Sequence, residues 1–464
     1  MAGIGFRLRE IVTRKTFTEW VQLYLYSAII FAGPWLMSIL CLAALSVFAV
    51  PALQQEGVAL FTVTVVYCYA FSLITTGIVQ LPVTRFVADR LYAKDGDAIV
   101  PSFVSVLIIV APSQALLAAI FLTMTKGSLA FKVSAMGLYV VISVIWMAMI
   151  YLTAAKDYNA LILGFFFGYA TSFVLGQAFG DWAGIEGLLS GFLAGQTLLC
   201  FWLIWRILEE FPNKKSFNMD FMSAFRTYPN LAWAGFFYSA AIWADKLLFW
   251  FGPGIRVGHP GSLFHTHFPY DSAMFFAYLT IVPALALFLV RVETEFYTCY
   301  KAYFGGILGK EPLASIEERK RELIETLRSS LGTVIIYQGF VTIACLVLMP
   351  YLLNALEVDP AHLALFRVAC VAAVFHVLLL VILVVLLYFD FRRTVMWLSF
   401  LFLASNTLFS WMTLYTPEYH GWGYLLAGLL TLLVSLAALW NRLNNLEFVT
   451  FVQQPINQQK IVRR

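Results

Sequence analysis

The stretch HLALFRVACVAAVFHVLLLVILVVLLY (residues 362–388) decides the fold, because Arg367 is the one charged side chain in this apolar run. A bilayer core requires about 20 consecutive apolar residues and offers no hydrogen-bond partners to free backbone groups, so such a run crosses it as a helix. Of the 464 residues, 61% are hydrophobic and 12% are charged, against roughly 25% charged in globular proteins. The sequence therefore predicts an all-α polytopic membrane protein.

Runs of the same kind recur along the whole chain and predict twelve transmembrane helices in two six-helix lobes. The polar segment 207–228 divides them, so we expect an N-lobe of residues 1–212 and a C-lobe of residues 213–464. The predicted spans are 20–50, 57–83, 101–124, 133–154, 159–179, 184–206, 230–252, 273–292, 331–353, 362–388, 394–414 and 421–440.

The basic residues predict the orientation of these spans. With a cytosolic N-terminus, the outside loops contain Lys126, Lys132 and Arg256, and Lys246 and Arg367 lie in or near spans. All other Lys and Arg residues then fall on the inner side. Because Lys and Arg are retained on the cytoplasmic side of membranes, this bias predicts that both termini are cytoplasmic.

A weak internal echo favours duplication. YSAIIFAGPW (26–35) in span 1 resembles YSAAIWADKL (238–247) in span 7, and VTRF (83–86) resembles ETEF (293–296) at the ends of spans 2 and 8. Parallel repeats of this kind imply two lobes related by an axis along the membrane normal, with a central pathway between them.

Small residues and prolines predict how the helices pack and bend. Pro34, Pro82 and Pro283 are expected to kink spans 1, 2 and 8. Small residues at spacing four let helix backbones approach closely, so spans 5 and 6 are expected to pack on each other. These small residues are Gly164, Gly168, Ser172, Gly176 and Gly180 in span 5, and Gly187, Gly191 and Gly195 in span 6.

Span 7 carries two adjacent charges, Asp245 and Lys246. A charge at mid-membrane costs at least ~2.5 kcal/mol, so both should face a wet cavity or an ionised partner. Neighbours on a helix point about 100° apart, and we expect that they do not simply neutralise each other. Trp243 and Trp250 lie within cation–π reach of Lys246, while Tyr238 shares a stripe with Asp245. Two interpretations stay open: residues that line a transport pathway, or a buried ion pair with another helix that fixes the lobes.

Span 2 carries a polar stripe of Ser72, Thr76 and Gln80. Such a stripe can line water or hold a neighbouring helix. Hydroxyls, amides and aromatic rings with few fixed charges suit a neutral sugar chain, so we predict that these residues belong to the substrate pathway.

The inner ends of spans 2 and 8 are predicted to form an inner gate. Arg291 and Glu295 are four residues apart and can pair within their helix. A bridge between Arg85 and Glu295 would close the inner mouth by joining the lobes, and the alternative is a set of charges that reach the headgroups. The predicted gate residues are Arg85, Asp89, Arg90, Arg291, Glu293 and Glu295.

Neither a metal site nor a nucleotide site is expected. The outer loop 253–271 contains His259, His265 and His267, but Asp271 is the one further ligand type nearby, so we expect a solvated loop. GGILGK (305–310) continues with glutamate instead of Ser or Thr and follows no strand, which excludes a phosphate loop. We therefore predict no cofactor, no metal, no catalytic residue and no nucleic-acid partner.

Several motifs together resemble the PelG family: MAGIGFRLRE, the GPW of span 1, TRFVADRLY, WADKLLFW and RVETEFY. The resemblance covers essentially the whole chain. It implies a transporter of the bacterial inner membrane that belongs to the multidrug/oligosaccharidyl-lipid/polysaccharide flippase (MOP) superfamily. In that superfamily two six-helix lobes surround a central cavity and are thought to work by alternating access.

The resemblance also implies a cargo and partners. The cargo is Pel, a biofilm exopolysaccharide rich in N-acetylgalactosamine, moved from cytoplasm to periplasm. The partners are a PelF-like cytosolic glycosyltransferase and PelD- and PelE-like membrane proteins. Energy would come from polymer synthesis or from an ion gradient. The alternatives are an ion-coupled flippase or antiporter of lipid-linked sugars or small molecules, and a scaffold of the synthase complex that transports nothing.

Overall fold

The secondary structure described in the N-terminal half of the chain is entirely helical. The computed structural model describes residues 36–48, 55–211, 219–258, 261–355 and 362–451. We call residues 36–211 the N-terminal half and residues 219–451 the C-terminal half. The helices of the N-terminal half are α1 (Leu36–Phe48), α2 (Gln55–Tyr92), α3 (Ile99–Met124), α4 (Leu129–Ala155) and α5 (Tyr158–Glu210).

The C-terminal half adds ten helices and one small hairpin to the described chain. The hairpin strands are β1 (Ile255–Arg256) and β2 (His265–Thr266), which pair antiparallel. A π-helical turn, Val292–Phe296, joins two of the helices. The helices are α6 (Met222–Thr227), α7 (Pro229–Phe251), α8 (Phe268–Leu279), α9 (Val282–Arg291), α10 (Tyr297–Leu308), α11 (Leu313–Ala355), α12 (His362–Tyr388), α13 (Arg392–Met412), α14 (Trp422–Asn444) and α15 (Leu446–Phe451).

Nine helical segments of the described chain are long and apolar enough to cross a membrane. The protein is therefore a multi-pass membrane protein, as the composition predicts. Three features of the described helices account for the difference from the predicted twelve. One of the nine segments, α5, contains two predicted spans. Helix α7, which carries the charge pair, is not among the nine, and α1, the described part of predicted span 1, is too short to be counted. At 23 residues α7 is nevertheless about 34 Å long, enough for a bilayer core.

Helix α5 is two antiparallel limbs joined at a sharp turn. Ala183 and Gly184 have non-helical backbone angles, and Gly184 has a φ of 65°, which glycine adopts without strain. The Arg206 Nε atom at the far end of the second limb donates to Asp157 Oδ2, at the start of the first limb, over 3.0 Å. Spans 5 and 6 therefore form a helical hairpin.

The predicted close packing of these two limbs is confirmed. A Cβ atom added to Gly195 would lie 2.2 Å from Ser172 Oγ, and one added to Gly191 would lie 2.3 Å from the carbonyl oxygen of Leu175. Ser172 uses the close approach to donate to the carbonyl of Phe192 over 3.1 Å. The backbones thus touch where the sequence places glycine, as small-residue stripes predict.

The buried side chains form two apolar clusters. One draws mainly on α1 to α5 and the other on α7 to α15. The cluster of the N-terminal half also contains six residues that belong in sequence to the C-terminal half: Phe221, Ala224, Trp250, Val257, Phe264 and Val290. The lobe boundaries at residues 212 and 213 stay a prediction, since the structure does not describe residues 212–218.

The three prolines that were predicted to kink helices occupy different positions in the structure. Pro82 lies inside α2. Pro283 is the second residue of α9, just after the chain leaves α8 at Leu279, so predicted span 8 is two helices with a break between them. Pro34 lies outside the described residues. Whether Pro82 bends its helix stays a prediction.

Candidate functional site

Asp245 and Lys246 form an ion pair with each other inside α7. The Nζ atom of Lys246 lies 3.2 Å from Oδ2 of Asp245, and the two residues are 6% and 0% exposed, respectively. The expectation that they would not neutralise each other is wrong. Lys246 Nζ also donates to the carbonyl of Ile242 over 3.0 Å, so the long side chain folds back along its own helix. A flexible four-carbon stem overcomes the angle between neighbouring positions.

The Asp245 carboxylate has further donors from two other helices. The hydroxyl of Tyr270 in α8 donates to Oδ2 over 2.6 Å, and the amide of Asn406 in α13 donates to Oδ1 over 3.3 Å. Asn406 is oriented by Ser410, which donates to its Oδ1 over 3.0 Å, and by its own bond to the carbonyl of Ala241. A buried charge is stable when it is paired and its lone pairs are satisfied, and Asp245 meets both conditions.

Aromatic rings surround the Lys246 ammonium group. Nζ lies 5.8 Å from the ring centroid of Trp243, 5.1 Å from that of Tyr278 and 5.4 Å from that of Tyr424, all within cation–π range. The predicted contact with Trp243 is therefore present. Trp250 instead stacks on Tyr67 of α2, with centroids 4.8 Å apart. The predicted contact with Trp250 is therefore wrong, and the other two cage residues, Tyr278 and Tyr424, come from α8 and α14.

A chain of hydroxyl and imidazole groups leads away from this cage. Tyr278 donates to Tyr424 over 2.7 Å, and the Tyr424 hydroxyl lies 2.8 Å from Nδ1 of His376. On the other side of the ring, Nε2 of His376 lies 3.4 Å from the hydroxyl of Tyr238. The predicted pathway residue Tyr238 thus joins the same polar network as Lys246.

This network lies within the C-terminal half. The side chains that contact Asp245 and Lys246 belong to α7, α8, α13 and α14. Trp250 belongs to the cluster of the N-terminal half, and Trp243, which is one of the cage rings, also packs against that cluster. The pair therefore sits one side chain behind the contact between the halves, and its role in a pathway stays a prediction.

The predicted polar stripe of α2 makes hydrogen bonds within its own helix and to α4. Trp146 of α4 donates to Ser72 Oγ over 3.1 Å, Thr76 donates to the carbonyl of Ser72, and Gln80 donates to Thr76 over 3.0 Å. Ser72 and Thr76 are fully buried. Within the N-terminal half this stripe thus satisfies its own polar groups.

Helices α2 and α7 touch at the backbone. A Cβ atom added to Gly235 would lie 2.2 Å from the carbonyl oxygen of Gly77, and one added to Gly77 would lie 2.8 Å from Ser239 Oγ. We call this contact the α2–α7 seam. It joins the two halves and is closed in the structure.

Arg85 forms a bridge between the halves, but the predicted partner Glu295 is wrong, and the role of Arg85 in a gate stays a prediction. Arg85 pairs with Asp89 at 3.0 Å and, across the halves, with Asp390 at 3.6 Å. Glu295 pairs instead with Arg291 at 2.8 Å, the pairing that their four-residue spacing predicts. Asp390 lies in the turn between α12 and α13 and has a left-handed φ of 61°. The partner of Arg85 therefore comes from a turn that is distant in sequence.

Tyr228 connects the same charges and was missed by sequence reasoning. Its hydroxyl donates to Asp89 Oδ2 over 3.1 Å, and the guanidinium groups of Arg85 and Arg392 lie 5.4 and 4.5 Å from its ring centroid. We call Arg85, Asp89, Tyr228, Asp390 and Arg392 the inner cluster. The sequence feature that could have indicated this cluster is the short charged turn FDFRR (389–393), at the predicted inner ends of spans 10 and 11.

The other predicted gate residues lie around this cluster. Arg90 pairs with Asp95 at 3.4 Å and with Asp220 at 3.6 Å. Asp220 immediately precedes α6, so this second bridge also joins the halves. The side chain of Glu293 lies outside the described part of the structure, and its predicted role in a gate stays untested.

At the opposite end of the bundle the described residues of the predicted solvated loop form a hairpin, while His259 lies outside the described residues. Phe264, just before β2, is 3% exposed and belongs to the N-terminal cluster. Asp271 accepts hydrogen bonds from Trp250 Nε1 over 2.9 Å and from Thr266 Oγ1 over 2.9 Å. Among the described residues no group of three or more His, Cys, Asp or Glu side chains could hold a metal ion.

The arrangement of the described helices matches the fold of transporters of the MATE type. The solved structures that share this fold include the following three. The first is a point mutant of a MATE protein, with a TM-score of 0.66 and 14% identity over 92% of this chain and 96% of that one. An outward-facing multidrug resistance MATE family transporter of the MOP superfamily has a TM-score of 0.60 and 12% identity over 91% and 96%. A MOP superfamily transporter from Pyrococcus furiosus has a TM-score of 0.59 and 13% identity over 92% and 96%.

At such identities these likenesses show the fold alone. The family model of the PelG exopolysaccharide exporters (EPS-E) matches residues 1–451, and the chain belongs to this family. The resemblance drawn from the sequence motifs is therefore confirmed. No curated protein matches the chain.

Proposed function

We propose that this protein exports the Pel polysaccharide, or a closely related N-acetylgalactosamine-rich polymer, from cytoplasm to periplasm across the bacterial inner membrane. The observation that carries this proposal is the match of the PelG exporter family over residues 1–451 of a chain with a transporter fold. Both termini would lie in the cytoplasm, as the distribution of Lys and Arg predicts. The protein would act as a transporter and not as an enzyme.

The proposed architecture has twelve spans in two lobes, residues 1–212 and 213–464. The two limbs of α5 count as two spans because they run antiparallel, and α7 counts as one because its length suffices for a bilayer. Helix α1 would be the end of the first span. These additions to the nine apolar segments support the twelve-span count.

The proposed mechanism is alternating access by rocking of the two halves. Each half has its own apolar cluster, whereas the inner cluster between them consists of half-exposed ion pairs such as Arg85–Asp390. Exposed ion pairs contribute only about 0–1 kcal/mol each, so they can break and re-form while the apolar clusters stay intact. A bistable contact of this kind supports closure of the inner mouth by Arg85, Asp89 and Arg90.

The cargo would pass along the faces of α2 and α7 when the seam opens. Aromatic rings stack on the apolar faces of sugars, while hydroxyl and amide groups bind sugar hydroxyls. The Asp245–Lys246 pair lies directly behind this surface and would keep its aromatic cage in place. The proposed pathway residues are Asp245, Lys246, Trp243, Trp250, Tyr238, Ser72, Thr76 and Gln80.

Energy would come from polymer synthesis or from an ion gradient, and the proposed partners are a PelF-like glycosyltransferase with PelD- and PelE-like membrane proteins. A second candidate is ion-coupled antiport of small molecules or lipid-linked sugars, which the multidrug transporters among the structural neighbours favour. A scaffold that transports nothing is the third. Reconstitution in vesicles distinguishes them, because a scaffold moves neither polymer nor small solutes.

The cellular test replaces Asp245 and Lys246 singly by alanine in a strain that depends on this gene for secreted polymer. We expect less secreted polymer per molecule of protein found in the membrane, since loss of one buried charge also destabilises the fold and lowers abundance. Tyr415→Phe, at a position 77% exposed, is the matched control and should secrete normally. Normal secretion by both alanine variants would remove the pair from the pathway, and normal secretion by a strain without the gene would refute the export function itself.

A further inference from the structure

The hairpin between α7 and α8 belongs in sequence to the C-terminal half but is held by the N-terminal half. Its strands pair Ile255 with Thr266 and Arg256 with His265, and Val257 N donates to the carbonyl of Phe264 over 2.9 Å. A two-stranded hairpin this short is at best marginally stable alone. Its position must therefore depend on the surface against which it lies.

Phe264 anchors the hairpin in an aromatic pocket of the N-terminal half. Its ring centroid lies 5.2 Å from that of Tyr67 in α2, 5.6 Å from that of Phe121 in α3 and 6.1 Å from that of Phe131 in α4. The rings meet edge to face at all three contacts, which is a favoured aromatic geometry. One side chain thus contacts three helices of the opposite half.

Hydrogen bonds fasten the hairpin around this anchor. The Tyr67 hydroxyl donates to the carbonyl of His265 over 3.0 Å and accepts from the His265 amide over 3.0 Å. The Leu263 amide donates to Thr125 Oγ1 over 2.9 Å, and the Lys126 amide donates to the carbonyl of Gly261 over 3.3 Å. These bonds replace strand partners that the hairpin lacks.

Tyr67 also joins α2 to α7, because its ring stacks on that of Trp250 in α7 at an interplanar angle of 13°. Trp250 is fixed in turn by its bonds to Asp271 at the start of α8. The same tyrosine therefore holds both the hairpin and the end of α7. Separation of α2 from α7 at this end has to break the Tyr67 contacts.

We propose that Tyr67 and Phe264 are the gate residues of the outer exit and that the hairpin leaves the N-terminal half each time cargo is released. This inference rests on the proposed export function and assigns the outer gate of that same pathway. In the structure the hairpin is docked on the N-terminal half. Phe264 must withdraw from its pocket for α2 and α7 to part.

The first test measures the contact without any transport. Hydrogen exchange is followed in the hairpin amides of the purified, membrane-reconstituted protein, in wild type, Tyr67→Phe and the exposed control Tyr415→Phe. Loss of one hydroxyl that makes two buried hydrogen bonds should speed hairpin exchange about 5- to 30-fold, with the control unchanged. Equal exchange in wild type and Tyr67→Phe would show that Tyr67 does not hold the hairpin and would overturn the proposal.

The second test asks whether the hairpin has to move. Lys126→Cys with Gly261→Cys is suited to a disulfide, because a Cβ atom at Gly261 would lie 3.1 Å from Lys126 Cγ. Gly261 has a left-handed φ of 95°, so Thr125→Cys with Leu263→Cys provides a second pair without that strain. Each pair is compared with its single-cysteine variants, oxidised and reduced.

We expect both pairs to cross-link and the oxidised protein to secrete at most a tenth of the wild-type polymer, with recovery on reduction. Recovery shows that the variants fold. Full secretion by a cross-linked protein, or failure of both pairs to cross-link, would overturn the gate. Full secretion by a strain lacking the gene would instead refute export, while the exchange result would still decide whether Tyr67 holds the hairpin.

Discussion

Lys246 and Asp245 neutralise each other across 3.2 Å, although they are neighbours in one helix and lie in the interior of the bundle. The pair thus needs no charge from another helix, and α8 and α13 add only neutral donors, Tyr270 and Asn406. A membrane helix can carry two charges in this way without a wet cavity around them. The pair can therefore hold a fixed aromatic cage directly behind the seam.

Removal of one member of the Asp245–Lys246 pair should lower the free energy of unfolding more than removal of both. Lys246→Met leaves a buried carboxylate without its cation and should lower the free energy of unfolding by about 3–5 kcal/mol. Asp245→Asn combined with Lys246→Met restores neutrality and should recover most of that loss. Unfolding of the solubilised protein measures both changes. A double variant as unstable as Lys246→Met would contradict the self-neutralised pair.

The seam should be sensitive to a single methyl group. Gly235→Ala places a Cβ atom 2.2 Å from the carbonyl oxygen of Gly77, so α2 and α7 must separate, at a cost of about 1–3 kcal/mol. Gly339→Ala is the matched control, because no atom lies within 4 Å of a Cβ atom there. Thermal unfolding and secreted polymer are both measured. Equal losses in the two variants would show that close helix approach at Gly235 is not required.

Tyr228 should stabilise the inner cluster in two separable ways. Tyr228→Phe removes the hydrogen bond to Asp89 and keeps the ring, which should cost about 1 kcal/mol. Tyr228→Leu also removes the ring under Arg85 and Arg392 and should cost about 1 kcal/mol more. Tyr92→Leu, at a position 91% exposed, is the control and should stay within about 0.5 kcal/mol of wild type.

The stabilisation by the inner cluster should depend on the salt concentration. Arg85 and Arg392 are 37% and 29% exposed at their side chains, so ions screen the attraction between their guanidinium groups and the Tyr228 ring. The extra loss in Tyr228→Leu should therefore shrink as ionic strength rises from 0.01 to about 1 M. A loss independent of salt would indicate that Tyr228 acts through apolar packing and not through the two guanidinium groups.

The hydrogen bond from Trp250 to Asp271 should contribute more to the free energy of unfolding than the size of the tryptophan ring does. Trp250→Phe keeps a ring against Tyr67 but removes the Nε1 donor to a buried carboxylate, which should cost about 1.5–3 kcal/mol. Trp182→Phe, at a position 87% exposed, should be close to neutral. Unfolding measurements on both variants make the comparison. A neutral Trp250→Phe would show that Thr266 and the backbone suffice to hold Asp271.

Local patterns in the sequence determined the class and much of the packing. Apolar runs, the inner bias of Lys and Arg, and glycines at spacing four each act within one helix or one helical hairpin, so their consequences can be read without a partner. The family motifs add the exporter class for the same reason, since they are short contiguous stretches. The close approach of Gly191 and Gly195 to the first limb of α5 was predictable on these grounds.

Tertiary structure alone decided which polar groups meet. Tyr67 and His265 are 198 positions apart, and no spacing rule joins them. Arg85 was paired with Glu295 by analogy between the repeats, but the turn at Asp390 comes closer. Lysine stems, tyrosine hydroxyls and turns reach several ångströms in many directions, whereas a helix fixes only which face a residue occupies. Long-range contacts therefore depend on how distant elements approach each other, which the linear order of residues does not specify.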